Sequence, residues 1–344
     1  MSVRVGLLGA TGAVGQRFVQ LLDDHPTFEI AAVTASSESA GESYRDAAKW
    51  RVDTPIPERI AELTVRETSP DALPDDLDLL FSSLPSSVGA EIEPELCRAG
   101  YVVSSNSSNE RMAEDVPLTI PEVNPDHLDL IETQREQRGW DGALVKNPNC
   151  STITMTPTLA ALDQFGLSRV HVATLQAVSG AGYSGVTSME IIDNVLPHIG
   201  GEEAKMETES RKLLGDVTDG ELSLHDVDVS ASCNRVPSLD GHLENVFAEL
   251  DDDPTADEVH EALAEFDGVD LPSAPEQPIH VFDDPERPQP RLDRMRGKGM
   301  QISAGGLQET AEGIQYNCLA HNTIRGAAGA SVLNGELLVE EGWV

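Results

Sequence analysis

Basic residues are scarce in this chain. Its 344 residues hold 23 Lys and Arg against 60 Asp and Glu, a net charge of −37. Binding nucleic-acid phosphates needs concentrated cations, so the balance argues against that class of partner. It reads instead as a solvated acidic surface of the halophilic kind, its self-repulsion screened by salt. The runs "DDDP" (251–254) and "DDPE" (283–286) fit that reading. Cysteine is sparse as well. Cys97, Cys150, Cys233 and Cys318 lie far apart with no Cys-x-x-Cys pair, which argues against a disulfide framework and leaves no His/Cys cluster at metal-ligand spacing. No metal is expected, and a reduced thiol is free to be a nucleophile. Long apolar runs are missing too. None approaches 18 residues, so neither a spanning helix nor a membrane partner is expected. "MSVRVGLLGATG" starts directly as a strand, which argues against a cleaved signal peptide and points to the cytoplasm.

What is present is an alternating pattern. Apolar runs at 3–9, 29–35, 77–84 and 101–105 are separated by helix-period segments such as "AVGQRFVQLL", in which Val14, Phe18, Leu21 and Leu22 share a face. That order predicts an α/β fold with a Rossmann-type parallel sheet. Beyond Cys150 longer strand patterns appear, at 169–178 and 242–250, with fewer helices between them. They predict an α+β domain whose sheet is antiparallel, covered on one face and suited to a dimer surface. The small-residue tail "HNTIRGAAGASVLNGELLVEE" reads as a helix returning to the first domain. The expected organisation is a dinucleotide domain, 1–149 with 323–344, and a catalytic and dimerisation domain, 150–322.

"LLGATGAVGQRF" sets Gly9, Gly12 and Gly15 between a strand and a helix. Glycines allow a tight turn and close approach to a pyrophosphate held at the helix N-terminus, so Thr11, Ala13 and Val14 join them as candidate cofactor residues. The spacing G-x-x-G-x-x-G departs from G-x-G-x-x-G, and the strand-loop-helix context carries the reading. At the end of the second strand Ser36 and Ser37 stand where an acid would bind a ribose hydroxyl, which favours NADP over NAD, although Glu38 follows. A second glycine loop, "SGAGYSG" (179–185), is either a flexible turn or a backbone surface near the nicotinamide end.

Cys150 follows the corner "NPN". Pro148 disfavours helix at Asn147, so a helix can begin only after it, and a helix start lowers a thiol pKa. The competing reading is a small buried residue, as Cys97 and Cys318 look to be. Of nine histidines, His25, His127, His198 and His260 sit in acidic or amphipathic surface contexts. His242 follows a "DG" turn seven residues after Arg235, and reads either as an exposed turn histidine or as an acid/base partner.

Taken in order, "GATGAVG", "NPNCST", "LQAVSGAGYSG", "GGEEAKMETESRKLLG", "CNRVPSLDGH" and "HNTIRGAAGA" resemble the aspartate-β-semialdehyde dehydrogenase family, in its archaeal and fungal-type branch, over essentially the whole chain. The resemblance implies a role for each matching residue. Cys150 would be the nucleophile, His242 the acid/base, and Gln176 the residue orienting the acyl intermediate. Arg235 would grip the substrate carboxylate and Glu202 its ammonium, while Lys205, Arg111 and Asn149 would line a phosphate site. "GGEEAK" permits a register shift of one at Glu202 and Lys205. Ser179, Gly180 and Asn322 would lie against the cofactor. In the implied reaction Cys150 attacks aspartyl phosphate and phosphate leaves. NADPH then reduces the thioester, and His242, with an ordinary pKa near ~6.5, supplies a proton as aspartate semialdehyde forms. A homodimer or homotetramer is implied. The rivals are a malonyl-CoA or other acyl-CoA reductase on the same scaffold, and a non-catalytic NADP-binding regulator. Arg111, Arg235 and Lys205 would have to make a local positive pocket within an acidic protein.

Overall fold

A computed structural model describes residues 2–344. Six parallel strands form the first sheet: β1 (Val3–Leu8), β2 (Phe28–Ala35), β3 (Arg66–Glu67), β4 (Leu79–Ser82), β5 (Val102–Ser105) and β6 (Ala143–Lys146). Their spatial order, β3-β2-β1-β4-β5-β6, puts the reversal of winding between β1 and β4, where ligands of such sheets bind. The expected strands are all there within two residues or so, and β3, only two residues long, carried no apolar signal. β4, β5 and β6 are buried along their whole length, as strands covered on both faces must be. Phe81 stacks on Phe18 of α1 (Ala13–Leu21) in a cluster shared with Val102 and Val145, and Leu80, Val103 and Leu144 share a second cluster with Leu96 and Cys97 of α2 (Ser86–Arg98). Ile131 of α3 (Leu130–Arg138) joins the first of these two clusters.

The strands turn polar at their C-terminal ends, where they reach the crevice. Ser82, Ser105 and Lys146 converge there on Glu93 of α2. Lys146 Nζ donates to Glu93 at 2.5 Å, and Ser82 and Ser105 donate to it at 2.8 and 2.6 Å. Lys146 and Glu93 are fully buried, so each depends on the other for its charge.

α4 (Cys150–Leu162) leaves the first sheet and runs between the two halves of the molecule, buried on every side. Three of its threonines tolerate this because they bond back to the preceding turn: Thr154 donates to the Cys150 carbonyl and Thr156 to that of Thr152, both at 2.8 Å, and Thr158 to that of Met155 at 2.6 Å. The second sheet follows, with β7 (Leu167–Gln176), β10 (Asp228–Arg235), β11 (His242–Leu250), β12 (Ile279–Phe282), β13 (Ile302–Glu309) and β14 (Gly313–Ala320) in the order β10-β7-β11-β14-β13-β12. Before β10 come α5 (Glu202–Leu213) and a small ribbon of β8 (Asp216–Thr218) and β9 (Glu221–Ser223). The expected antiparallel sheet is in fact mixed. Its centre is antiparallel, but β10 runs parallel to β7 and β12 parallel to β13. The crossover through α5 causes the first of these, since it returns the chain to the same end before β10 begins. α4 and α6 (Ala256–Ala264) cover one face, and the other is open enough to leave Phe247 46% exposed.

After β14 a π-type turn (Ile324–Ala328) leads into α7 (Gly329–Glu340), which packs on β4, β5 and α1 of the first sheet. Gly335 is required there, because a Cβ would lie 2.7 Å from the Phe81 ring. Among the described residues no helix is long and apolar enough to cross a membrane. Two histidines differ from expectation: His127 is fully buried, bonded to the Gly215 carbonyl at 3.0 Å, and the His25 side chain is only 5% exposed against Glu336. The acidic neighbours of each suggested solvent, whereas the partners come from distant chain.

Replacing Lys146 by Met strands the Glu93 carboxylate. Denaturant unfolding should register a loss of about 3–5 kcal/mol, most of it recovered in the double variant Lys146→Met/Glu93→Gln. A recovery below about 1 kcal/mol would contradict the pairing argument.

Candidate active site

Strand register assembles the site. β7 and β10 pair in parallel with Gln176 opposite Arg235, the last residue of each. β11 runs the other way, with Leu243 opposite Leu175, so its first residue, His242, reaches the same edge. Above that row stands the first turn of α4. Asn149 is its N-cap, its side-chain oxygen accepting the N–H groups of Ser151 and Thr152 at 2.9 and 3.3 Å. Cys150 comes next, and its Sγ lies 3.3 Å from His242 Nε2. The sulfur and the imidazole therefore form a pair, and the exposed-turn reading of His242 fails: the ring is fully buried. Cys97, Cys233 and Cys318 are buried.

The flanking groups are tightly bonded. Gln176 Nε2 donates to Ser151 Oγ at 2.7 Å and to Glu202 at 3.1 Å, and Asn149 Nδ2 donates to the same Glu202 oxygen at 2.9 Å. Lys205 Nζ donates to the other Glu202 oxygen at 2.6 Å. This fixes the register of "GGEEAK": Glu202 and Lys205 face the cleft, while Glu203 turns toward the Cys233 N–H and His198. Burial works to raise the Glu202 carboxyl, but Lys205, Asn149 and Gln176 together hold it below the ordinary carboxylate range. Arg235 Nη1 donates to the Ala177 carbonyl at 2.8 Å, and among the described residues Arg235 forms no ion pair. A Cβ on Gly180 would lie 2.7 Å from Arg235 Nη1 and 3.3 Å from His242 Nε2, so glycine is what lets the second glycine loop close over both. Gly326 does the same from behind, where a Cβ would meet that of Cys150 at 2.8 Å.

Three expectations need correction. The helix start does not leave Cys150 with a depressed pKa. Burial pushes the thiol up to about 12, Glu202 adds to the rise, and Arg235 and Arg111 oppose it; the nearest helical N–H groups are already spent on Asn149. His242 does not titrate near its ordinary value either, because burial, then Arg235, lowers it to about 3. The pocket is also less positive than expected. Lys205 is paired with Glu202, and Arg111 Nη1 with Glu209 at 2.9 Å, which leaves Arg235 as the unpaired cation of the three. Asn149 has its carboxamide engaged at both ends, in the helix cap and on Glu202.

Sequence reasoning passed over Glu209 and Lys212. On α5 the residues 202, 205, 209 and 212 share one face, and that face joins the two halves of the site. Glu209 accepts from Arg111 and, at 2.6 Å, from the Asn149 N–H. Lys212 Nζ donates to the carbonyls of Arg111, Ala113 and Val116 at 2.9, 2.7 and 2.7 Å, and burial lowers its pKa to about 8. The 3-4-3 spacing of charges in "EEAKMETESRK" was the available signal.

The catalytic cleft, of about 480 Å3, runs from Leu84–Ser86 past Ala13 and Val14 to Cys150, with Ser179, Gly180 and Asn322 along its wall. Asn322 holds that wall in place, donating to Ser179 Oγ and accepting the Gly241 N–H, each at 2.8 Å. A basin of about 790 Å3 adjoins the cleft and reaches Thr11, Arg17, Lys49 and Arg51. A dinucleotide fits the glycine loop. Gly9 turns at φ +73°, Gly12 caps α1 in extended conformation without a side-chain bond, and a Cβ on Gly15 would lie 2.3 Å from the Gly9 carbonyl. The first N–H groups of α1 are therefore open to a phosphate. Ser36 and Ser37 are exposed just past β2 and line neither cavity. Among the described residues no three His, Cys, Asp or Glu side chains could hold a metal ion.

A doubly wound dinucleotide fold whose cleft ends at a cysteine–histidine pair is the architecture of a nucleotide-dependent oxidoreductase. Comparison with known proteins makes this specific. The semialdehyde dehydrogenase NAD binding domain model matches residues 4–131, and the semialdehyde dehydrogenase dimerisation domain model matches 159–325. The aspartate-semialdehyde dehydrogenase of Methanothermobacter thermautotrophicus is 52% identical, covering 98% of this chain and 99% of its own, and that of Schizosaccharomyces pombe is 46% identical with 98% of each chain covered. A crystal structure of aspartate semialdehyde dehydrogenase with NADP from Candida albicans superposes with a TM-score of 0.91 at 40% identity, covering all of both chains. The chain belongs to the aspartate-semialdehyde dehydrogenase family.

Substitution of Glu209 by Ala removes the acceptor for two buried donors, Arg111 and the Asn149 N–H. Chemical denaturation should show a loss of about 2–4 kcal/mol, and steady-state kinetics a rise in KM for phosphate. Unchanged values of both would remove Glu209 from the site.

Proposed function

We propose that this chain catalyses the NADPH-dependent reductive dephosphorylation of L-4-aspartyl phosphate to L-aspartate 4-semialdehyde, and its reversal. The observation that carries the reading is the Cys150–His242 contact of 3.3 Å, set among Gln176, Arg235 and Glu202. Cys150 attacks the acyl carbon and phosphate leaves, giving a thioester on sulfur. When bound, the dinucleotide supplies or takes up the hydride. Arg235, the cation left free, holds the substrate carboxylate with its fork of donors. Glu202 takes the ammonium, which competes there with Lys205, and a displaced Lys205 together with Arg111 then faces the phosphate. Gln176, clamped by Ser151 and Glu202, fixes the acyl group.

The complex with NADP in the Candida relative and the open start of α1 support NADP as the cofactor. The open face of the second sheet, with Phe247 46% exposed, and the match to a dimerisation domain support a homo-oligomer. The charge of −37 supports a halophilic setting in which salt screens self-repulsion.

The decisive assay follows phosphate-dependent reduction of NADP and of NAD by aspartate semialdehyde at low and high KCl. Turnover should require phosphate, prefer NADP and rise with salt; turnover with a CoA thioester alone would instead establish the acyl-CoA reductase. Cys150→Ser should lower kcat by at least about 10⁴-fold with NADPH binding intact by fluorescence titration. For the assembly, Phe247→Asp should shift sedimentation toward monomer, and an unchanged mass would place the interface elsewhere.

A further inference from the structure

The second glycine loop is tied at its two ends and at one point between them. The N–H groups of Val178 and Ser179 donate to the carbonyls of Ser238 and Leu239 at 2.9 and 3.2 Å, and Leu196 exchanges two backbone bonds with Arg235 at 3.0 and 2.8 Å. Past Ser179 the N–H groups bond back within the turn, Gly180 to Ala177, Gly182 to Ser179 and Gly185 to Gly182. Among the described residues one hydrogen bond leaves the segment before Leu196: the Tyr183 hydroxyl reaches Gln16 Oε1 at 3.1 Å. The loop is the roof of the site, since Gly180 closes over Arg235 and His242. Its turn runs through left-handed residues, Gly182 at φ +71°, Gly185 at φ +62° and Ser184 at φ +67°. A side chain at positive φ persists where its surroundings hold it, and Tyr183 is the neighbour of Ser184 that is held.

Gln16 belongs to α1 and is fully buried, and every hydrogen-bonding position of its carboxamide is used. Nε2 donates to the Thr11 carbonyl at 2.9 Å and the Lys49 carbonyl at 3.1 Å, and Oε1 accepts the Arg51 N–H at 2.9 Å as well as the Tyr183 hydroxyl. Peptide carbonyls only accept and a peptide N–H only donates, so the carboxamide has one orientation and the Tyr183 hydroxyl must be the donor. Arg51 adds a second hold, its guanidinium lying 5.3 Å from the centre of the Tyr183 ring. One side chain thus joins the carbonyl of Thr11, in the cofactor loop, to the loop that roofs the substrate cleft. We infer that Tyr183 is a positioning residue: its hydroxyl latches the second glycine loop onto the start of the cofactor helix. A dinucleotide that settles on the first glycine loop then also fixes the roof over Arg235 and His242. The effect is reciprocal, because a roof held in place steadies Gln16 and with it the cofactor loop. The inference deepens the dehydrogenase reading proposed above and rests on it for the kinetic part of its test alone.

The test is amide hydrogen exchange read by mass spectrometry, with and without NADPH, in wild-type protein and in Tyr183→Phe. The variant deletes one oxygen and keeps the ring beside Arg51, so the fold is preserved. In wild type NADPH should slow exchange in peptides covering 181–186. In Tyr183→Phe that protection should be lost, while peptides of β1 and α1 are protected equally in both proteins. NADPH affinity by fluorescence titration should fall about 2–10-fold, the size of one neutral hydrogen bond. Equal protection of 181–186 in the two proteins, or none in wild type, overturns the inference. For the kinetic part, Tyr183→Phe should raise KM for aspartate semialdehyde by a similar factor with kcat within about twofold. A fall in kcat with KM unchanged also overturns it. Wild-type protein that binds NADPH without phosphate-dependent turnover would sink the proposed reaction and leave the exchange result standing.

Discussion

The whole site leans on one buried carboxylate. Glu209 accepts from Arg111, which belongs to the first half of the molecule, and from the N–H of Asn149, which caps the helix carrying Cys150. Without it the Arg111 guanidinium and the start of α4 would have no shared reference. The same face of α5 holds Glu202 on Gln176 and Asn149, and Lys212 on three carbonyls of the loop around Arg111. Arg111 and Glu209 pair, as do Lys205 and Glu202, while Lys212 is held by neutral carbonyls. Arg235 lines the cleft without a carboxylate partner, and such a cation is suited to an anionic ligand. A net charge of −37 and a cleft lined by a cation without a carboxylate coexist because the local balance is struck within a few ångströms.

Much of this was legible in the sequence. The glycine loop, its strand and helix, the corner before Cys150 and the strand 242–250 all follow from local chemistry. Periodicity could reveal them because each answers to burial within a few residues. What local chemistry could not give was partnership. Glu209 and Lys212 read as an ordinary charged helix face, His127 as solvated, and Cys150 as a thiol activated by a helix start. In each case the deciding atoms come from far along the chain: the Gly215 carbonyl for His127, Arg111 for Glu209, and the enclosing walls for Cys150. The parallel edges of the second sheet escaped for the same reason, since strand direction depends on the crossover and not on the strand.

The cysteine and histidine share one physical circumstance: His242 is buried and Cys150 half-buried beside it, and the enclosure favours the neutral form of each. The site is therefore not a preformed thiolate–imidazolium pair. It is a sulfur and an imidazole held in contact at 3.3 Å at the floor of the cleft. Gly180 and Gly326 allow this closeness, because any side chain at either position would push the loop or the turn away from the reacting atoms.

The return of α7 to the first sheet has a consequence for synthesis. Val332, Leu337 and Leu338 share one cluster with Val5, Phe81 and Val102, so residues made near the beginning wait for residues made near 340. As the chain leaves the ribosome, β4 and β5 lack the cover of α7 while the whole second sheet is still being made. Domains usually fold as units in the order of their synthesis. Here the cover that α7 gives the first sheet arrives last, so that half is completed only after the second sheet has been made.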